Sequence, residues 1–131
     1  MATLLIADDS LMSRRIISRI ANSLGHKVVG ESENGLDTIS KYIELSPDIV
    51  TLDIAMPIMG GIDCLKKLVS YDPKAKILII SAIGKRSMIL EALKHGAKYY
   101  TTKPLDEKSV ANAIKITIED NNPPPDFDAF S

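Results

Sequence analysis

Five residues of this 131-residue chain, Asp8, Asp9, Asp53, Ser81 and Lys103, are of types that phosphoryl transfer uses and fall where strands would end. Two adjacent aspartates alone read as a solvated turn or helix cap. Three carboxylates in one place do not, because like charges at close range repel unless a cation or protons intervene. An all-oxygen acidic pocket suits Mg²⁺, a hard ion that takes one or two carboxylates and keeps water and phosphate oxygens as its other ligands. With a hydroxyl and an ammonium beside it, the set of parts is complete. The metal and Lys103 neutralise phosphate oxygens, Ser81 donates to another oxygen, and a carboxylate attacks phosphorus in line. Taken singly, Ser81 reads as a strand-end cap and Lys103 as a surface charge.

The chemistry therefore depends on whether the chain brings these residues together. Short aliphatic runs alternate with longer segments of helical period. Residues 3–7 (TLLIA), 27–30 (KVVG), 48–52 (DIVTL), 76–81 (KILIIS) and 97–101 (AKYYT) read as strands. Helical segments start near Ser10, Asn34, Gly61, Lys85 and Asp106, with Ile16, Ile17, Ile20 and Leu24 forming the apolar face of the first. Gly25 and Gly96 stand where helix C-termini favour a left-handed residue, and Pro47 blocks continuation of the second helix. Asn34 with Asp37, and Asp106 with Glu107, supply caps and negative charge at helix starts. Strands apolar at nearly every position are expected where helices cover both faces of a parallel sheet, so five βα units in a three-layer sandwich follow. In such a sheet the loops leaving the C-terminal strand ends meet along one edge, where sites are built. Asp8 and Asp9 follow the first strand, Asp53 the third, Ser81 ends the fourth and Lys103 lies just past the fifth. In a flavodoxin-like order the first and third strands are neighbours, which joins the three carboxylates.

Length and charge narrow the alternatives. The size fits one domain, read as residues 1–119, with residues 120–131 as a Pro-rich, acidic, flexible tail that holds both phenylalanines, Phe127 and Phe130. A docking role for that tail, with Asp126 and Asp128 facing basic residues, is the alternative. The 16 Lys and Arg nearly cancel the 17 Asp and Glu, leaving net charge −1 and no reason to expect nucleic acid or an anionic membrane as partner. Apolar runs of five or six residues fall far short of the roughly 20 that span a bilayer. The one cysteine, Cys64, has no intramolecular disulfide partner and reads as packing. No leader pattern opens the chain, so a cytoplasmic protein is expected. His26 and His95 lie away from the acidic residues in this layout. Neither GxxxxGK[ST] nor GxGxxG occurs. A flavin site is disfavoured because Asp8 and Asp9 repel phosphate where amide or hydroxyl donors are needed. A haloacid-dehalogenase-type phosphatase wants DxD after the first strand.

The ordered motifs ADDS (7–10), DIAMPIMGG (53–61), SA (81–82) and KPL (103–105) resemble the receiver domain of bacterial two-component response regulators over about residues 1–120. They are most like its free-standing chemotaxis members. The resemblance implies an α/β fold, a (βα)5 flavodoxin-like sandwich with a parallel five-stranded sheet in the order 2-1-3-4-5. It implies Asp53 as phosphoacceptor, and Asp9, Asp53 and the backbone carbonyl of Ala55 as Mg²⁺ ligands, with Asp8 acting through a metal-bound water. Ser81 would turn to the phosphoryl group, Lys103 would pair with its oxygens, and the bond to Pro104 would be cis. Ala82 is small, as an approaching phosphodonor imidazole requires. Tyr100 stands at the switch aromatic position, rotating as Ser81 moves and altering the surface of helix four, strand five and helix five, where Lys85, Arg86 and Lys94 would meet an acidic partner segment.

The implied partners are a sensor histidine kinase of the chemotaxis CheA type, the flagellar motor switch protein and a phosphatase. The chain would be no enzyme beyond its own phosphotransfer and slow self-dephosphorylation. Other outputs of the same chemistry are a phosphorelay intermediate or a phosphate sink; a phosphorylation-independent scaffold is the third reading. Ala55 and Ile83 depart from the commoner amide or acid at positions that influence acyl-phosphate hydrolysis. Neither side chain hydrogen-bonds an attacking water, which predicts a long-lived phosphorylated form, readable as its rate of phosphate loss. The Gly60-Gly61 pair replaces a polar-glycine turn and loosens it without touching the chemistry.

Overall fold

A computed structural model of the chain describes residues 1–121; of the tail read as 120–131, Asp120 caps α5 and Asn121 accepts from Lys76, and the rest lies outside the described residues. The elements alternate as β1 (Thr3–Ala7), α1 (Leu11–Ser23), β2 (Lys27–Ser32), α2 (Gly35–Leu45), β3 (Ile49–Asp53), α3 (Gly61–Tyr71), β4 (Ile77–Ala82), α4 (Arg86–Lys94), β5 (Tyr99–Lys103) and α5 (Glu107–Glu119). All strand pairings are parallel, in the order β2-β1-β3-β4-β5. The architecture is the (βα)5 sandwich that the alternating pattern predicts.

Alternation along each strand divides the core into two layers. Leu5, Ala7, Val50, Leu52, Ile77 and Ile79 pack with Leu65, Leu68, Ile89 and Ala92 on the α2, α3 and α4 side. Leu4, Ile49 and Leu78 pack with Ile20, Ala21, Val110, Ala113 and Ile114 of α1 and α5, and Ile6 and Ile80 pack with Ile17 on the same face. Each such Leu or Ile contributes about 1.5–3 kcal/mol by leaving water. β3 lies central with all five residues buried, which explains why Ile49, Val50 and Leu52 are aliphatic; Thr51 is its one polar residue before the carboxylate at its end.

Local chemistry sets the helix ends. Ser10, Asn34 and Asp106 accept the Ser13, Asp37 and Ser109 amides, satisfying donors that a helix start leaves open. α2 stops before Pro47 because Ser46 turns left-handed, with φ 45°.

β3 and β4 each lie one residue later than the sequence reading, so Asp53 ends its strand rather than following it, and Lys103 ends β5; three further details differ. β5 runs from Tyr99 rather than residue 97, because Gly96, at φ 108°, and the Ala97 amide, bonded to the Ala92 carbonyl, are used in closing α4. β2 continues through Glu31 and Ser32, which pair with Ile6 and Ala7 despite their polarity, as an edge strand allows. Leu24 caps α1 and is 42% exposed; the buried stripe is instead Ser13, Arg14, Ile17, Ile20 and Ala21. No helix among the described residues is long and apolar enough to cross a membrane.

Candidate functional site

The C-terminal strand ends form one edge, and the five singled-out residues stand on it. Asp8 and Asp9 come directly after β1, Asp53 is the last residue of β3, Ser81 lies one before the end of β4 and Lys103 closes β5. Register brings them abreast: Ala7 pairs with Leu52, Asp53 with Ile80, and Ala82 with Lys103. One carboxylate oxygen each from Asp8, Asp9 and Asp53 lies within 4.8 Å of the others. Lys103 Nζ is 3.0 Å from Asp8 Oδ2 and 3.5 Å from Asp53 Oδ2.

Asp8 and Asp53 are buried and Asp9 is exposed. Asp8 is gripped by its surroundings: its amide donates to the Ser32 carbonyl at 3.0 Å, and its Oδ1 accepts the Ser10 amide at 2.9 Å. Asp53 Oδ1 accepts the Ala55 amide at 3.3 Å. This approach requires a close turn after β3, and Gly61 permits it, since a Cβ there would lie 2.2 Å from the Asp53 carbonyl oxygen.

Burial, and then the Asp8 charge, push the Asp53 carboxyl up to about 6, against the opposing pull of Lys103 and the Ala55 amide. For Lys103, burial alone would favour the neutral amine. Contact with Asp8 and Asp53 outweighs it and holds the ammonium above its ordinary range. Three carboxylates with one ammonium leave an all-oxygen donor set with excess negative charge. That is a chemistry a hard divalent cation fits, and Asp8, Asp9 and Asp53 are the residues able to hold it.

Ser81 is buried and donates to the Ala82 carbonyl at 3.2 Å. The Lys103–Pro104 peptide bond is cis. Tyr100 is 41% exposed, its ring tilted against Tyr99, and it lines a groove with Ile83, Lys85, Arg86 and Leu90. Lys94, at the last turn of α4, is not among the groove residues. Ala55 and Ile83 are exposed in the loops after β3 and β4.

Other candidates lie elsewhere. His26 Nδ1 accepts the Ala2 amide at the start of the sheet, and His95 caps the C-terminus of α4. The Cys64 thiol is buried, 3.5 Å from the Gly35 carbonyl oxygen, and burial pushes it up to about 12; packing is its role. Two residues near the site escaped the sequence reading. Arg14 donates to the Asp8 carbonyl at 2.8 Å. Its signal was a cation placed three residues before Ile17 and seven before Ala21, on the buried stripe of α1. Ile58 adopts φ 70° in the loop after Asp53, and no residue type in the MPIM stretch marks that.

The response regulator receiver domain profile matches residues 4–115. The chemotaxis protein CheY of Thermotoga maritima is 44% identical over 110 residues, which is 84% of this chain and 92% of that protein. CheY of Bacillus subtilis is 43% identical over 115 residues, 88% of this chain and 96% of its own. Among solved structures, a chain of the CheX–CheY–BeF3–Mg²⁺ complex from Borrelia burgdorferi superposes with TM-score 0.82 at 36% identity, covering 86% of this chain and 85% of that one. The response regulator domain of Thermotoga maritima CheB superposes with TM-score 0.78 at 34% identity, covering 88% and 92%.

Proposed function

The chain belongs to the response regulator receiver domain family, and on that premise we propose that it accepts a phosphoryl group on Asp53 and signals by binding another protein when phosphorylated. Its 43–44% sequence identity to CheY proteins over most of its length supports a role in two-component chemotaxis signalling. The observation that carries the reading is the meeting of three carboxylates within 4.8 Å at the ends of β1 and β3, with the Lys103 ammonium from β5 against two of them.

The donor is a phosphohistidine of a sensor kinase. Asp53 Oδ attacks phosphorus, the imidazole nitrogen leaves with the bonding pair, and an acyl phosphate remains on Asp53. Lys103 holds a phosphoryl oxygen by charge, and the Ser81 hydroxyl exchanges the Ala82 carbonyl for another. Asp9, Asp53 and the Ala55 carbonyl would hold Mg²⁺, with Asp8 outside them through water; the ion supplies charge neutralisation. Burial and the Asp8 charge push the Asp53 carboxyl up to about 6, so a cation that favours the carboxylate also favours the nucleophile.

Output follows from Ser81 and Tyr100. As Ser81 turns toward the phosphoryl group it vacates space beside β5, and Tyr100 leaves its exposed position to fill it. The groove along α4 that Tyr100 lines thereby changes shape, with Lys85 and Arg86 at its rim. An acidic, partly apolar segment fits such a groove, and the N-terminal segment of the flagellar motor switch protein is the partner proposed. A phosphatase is a further partner proposed, and the Borrelia neighbour's complex with CheX shows that a relative of this fold binds another protein in its beryllofluoride form. Such a regulator works in the cytoplasm.

The test has two arms. A small phosphodonor with Mg²⁺ should add one phosphoryl group, seen by intact mass, to the unsubstituted chain and not to Asp53→Asn. Beryllofluoride with Mg²⁺ should tighten binding of the motor-switch peptide in the unsubstituted chain only. Phosphorylation that persists in Asp53→Asn overturns the acceptor assignment. Activation without peptide binding, read as a change in the Tyr100 environment, keeps the receiver chemistry and turns the output to a relay or sink.

A further inference from the structure

One buried charge has no part in the reaction just described. The Arg14 side chain is only 10% exposed, although taking a guanidinium out of water is costly unless its donors are matched. Here Nε and Nη1 have partners. Nη1 donates to the backbone carbonyl of Asp8 at 2.8 Å in a buried bond. Nε donates to Glu31 Oε1 at 3.0 Å, and Nη1 lies 3.6 Å from Glu33 Oε1. Glu31 is near the end of β2 and Glu33 is just past it. One planar group therefore ties the turn after β1 to the end of the neighbouring strand.

The bonded carbonyl belongs to the peptide that joins Asp8 to Asp9. That unit is planar, so fixing its oxygen fixes the direction in which the chain enters Asp9. Asp8 is already held at its amide by Ser32 and at its carboxylate by Ser10 and Lys103. Asp9 is exposed, yet its carboxylate falls within 4.8 Å of those of Asp8 and Asp53. The plane of the intervening peptide sets that placement.

We propose that Arg14 is a positioning residue for the cation site: its guanidinium holds the Asp8–Asp9 peptide so that the Asp9 carboxylate meets that of Asp53. Glu31 and Glu33 balance its charge, so a cationic group this close to the site does not repel a divalent ion. The inference rests on the cation reading of the proposed function. Groups that orient metal ligands from outside typically change metal affinity about 10–100-fold when removed. Lysine is no substitute, because a single ammonium lacks the fork that spans the Asp8 carbonyl and Glu31 at once.

Calorimetric titration with Mg²⁺, at a temperature where every variant is folded, tests this on the unsubstituted chain, Arg14→Met, Arg14→Lys and Glu31→Gln. Arg14→Met should bind Mg²⁺ about tenfold more weakly, with Arg14→Lys nearer to it than to the unsubstituted chain. In self-phosphorylation from a small phosphodonor, the half-saturating Mg²⁺ concentration should rise by more than the plateau rate falls. A merely structural role would lower the melting temperature and leave Mg²⁺ affinity alone, and that result in folded Arg14→Met overturns the inference. If Arg14→Met does not fold, Glu31→Gln carries the test: it loosens the guanidinium and unbalances its charge, so Mg²⁺ affinity should fall a few-fold, and unchanged affinity overturns the proposal. Failure of the unsubstituted chain to bind Mg²⁺ overturns the cation reading and this inference with it, an outcome distinct from equal binding by all four proteins.

Discussion

The two edges of this sheet are built on opposite principles. At the N-terminal edge, polar groups are matched with partners. Asp48 Oδ2 accepts from both the amide and the hydroxyl of Thr3, and the Asp48 amide donates back to Thr3. The Tyr42 hydroxyl donates to Asp72 Oδ2 at 2.7 Å, and His26 accepts the Ala2 amide. At the C-terminal edge two buried carboxylates share one ammonium, and Asp53 is pushed up to about 6. The same strands thus end in groups that stabilise the fold on one side and oppose it on the other. A site arranged to receive a cation and a phosphoryl group carries that opposition until they bind.

Replacing the most opposed group should give the largest effect. Asp53→Asn is expected to abolish phosphoryl acceptance while making the cation-free protein more stable at pH 7, by on the order of 1–3 kcal/mol. The sign follows from linkage. The folded-state value of about 6 lies above the ordinary 3.8, so between them the folded chain binds more protons than the unfolded one, and stability falls as pH rises through that window. The stability difference between Asp53→Asn and the unsubstituted chain should therefore grow from about pH 4 to about pH 6 and then level off. Denaturant unfolding at several pH values, with chelator present, measures it. A difference independent of pH would mean that Asp53 is not the group under strain. Saturating Mg²⁺ should shrink the gap, since it stabilises only the chain that binds it.

At the opposite edge the same kind of change should have the reverse sign. Tyr42→Phe removes the donor to Asp72 and little else. Burial and the Asp72 charge hold this phenol well above its usual range, so it stays protonated. A loss of about 1–2 kcal/mol is expected, constant from pH 6 to pH 8, with phosphorylation unaffected. A stabilised Tyr42→Phe protein would erase the contrast between the edges.

The elements of this contrast were not equally legible. The largely buried strands β1, β3 and β4 announce themselves, because burial on both faces favours a nearly continuous aliphatic sequence, interrupted inside β3 only by Thr51. The strand-end residues were legible for the same reason: a carboxylate directly after LLIA or IVTL has no packing purpose. β5 was misplaced by two residues because closing α4 uses Gly96 and Ala97, and hydropathy does not distinguish a buried alanine in a helix cap from one in a strand. Arg14 left only its place on the α1 stripe as a signal, because its burial depends on partners that other segments bring to it: the Asp8 carbonyl, Glu31 and Glu33. Leu24 erred the other way, as an apolar residue past the point where the helix still faces the core.

The smallest expected effect concerns Ile58, where the opposition at the C-terminal edge is written into the backbone. Met59 donates its amide to the Pro57 carbonyl at 2.7 Å, closing a three-residue turn around Ile58 at φ 70°. Such a turn is rare and strained, and a β-branched side chain is among the least suited to positive φ. The side chain is 77% exposed, so little apolar burial compensates. Ile58→Gly removes the steric conflict, worth about 1–3 kcal/mol, and adds freedom to the unfolded chain, which costs about 0.4–1 kcal/mol. A net gain of about 1 kcal/mol should appear as a higher denaturation midpoint with an unchanged denaturant dependence. An unchanged or lower midpoint would show that the cost at this edge is electrostatic alone, held in the carboxylates and absent from the loop that follows them.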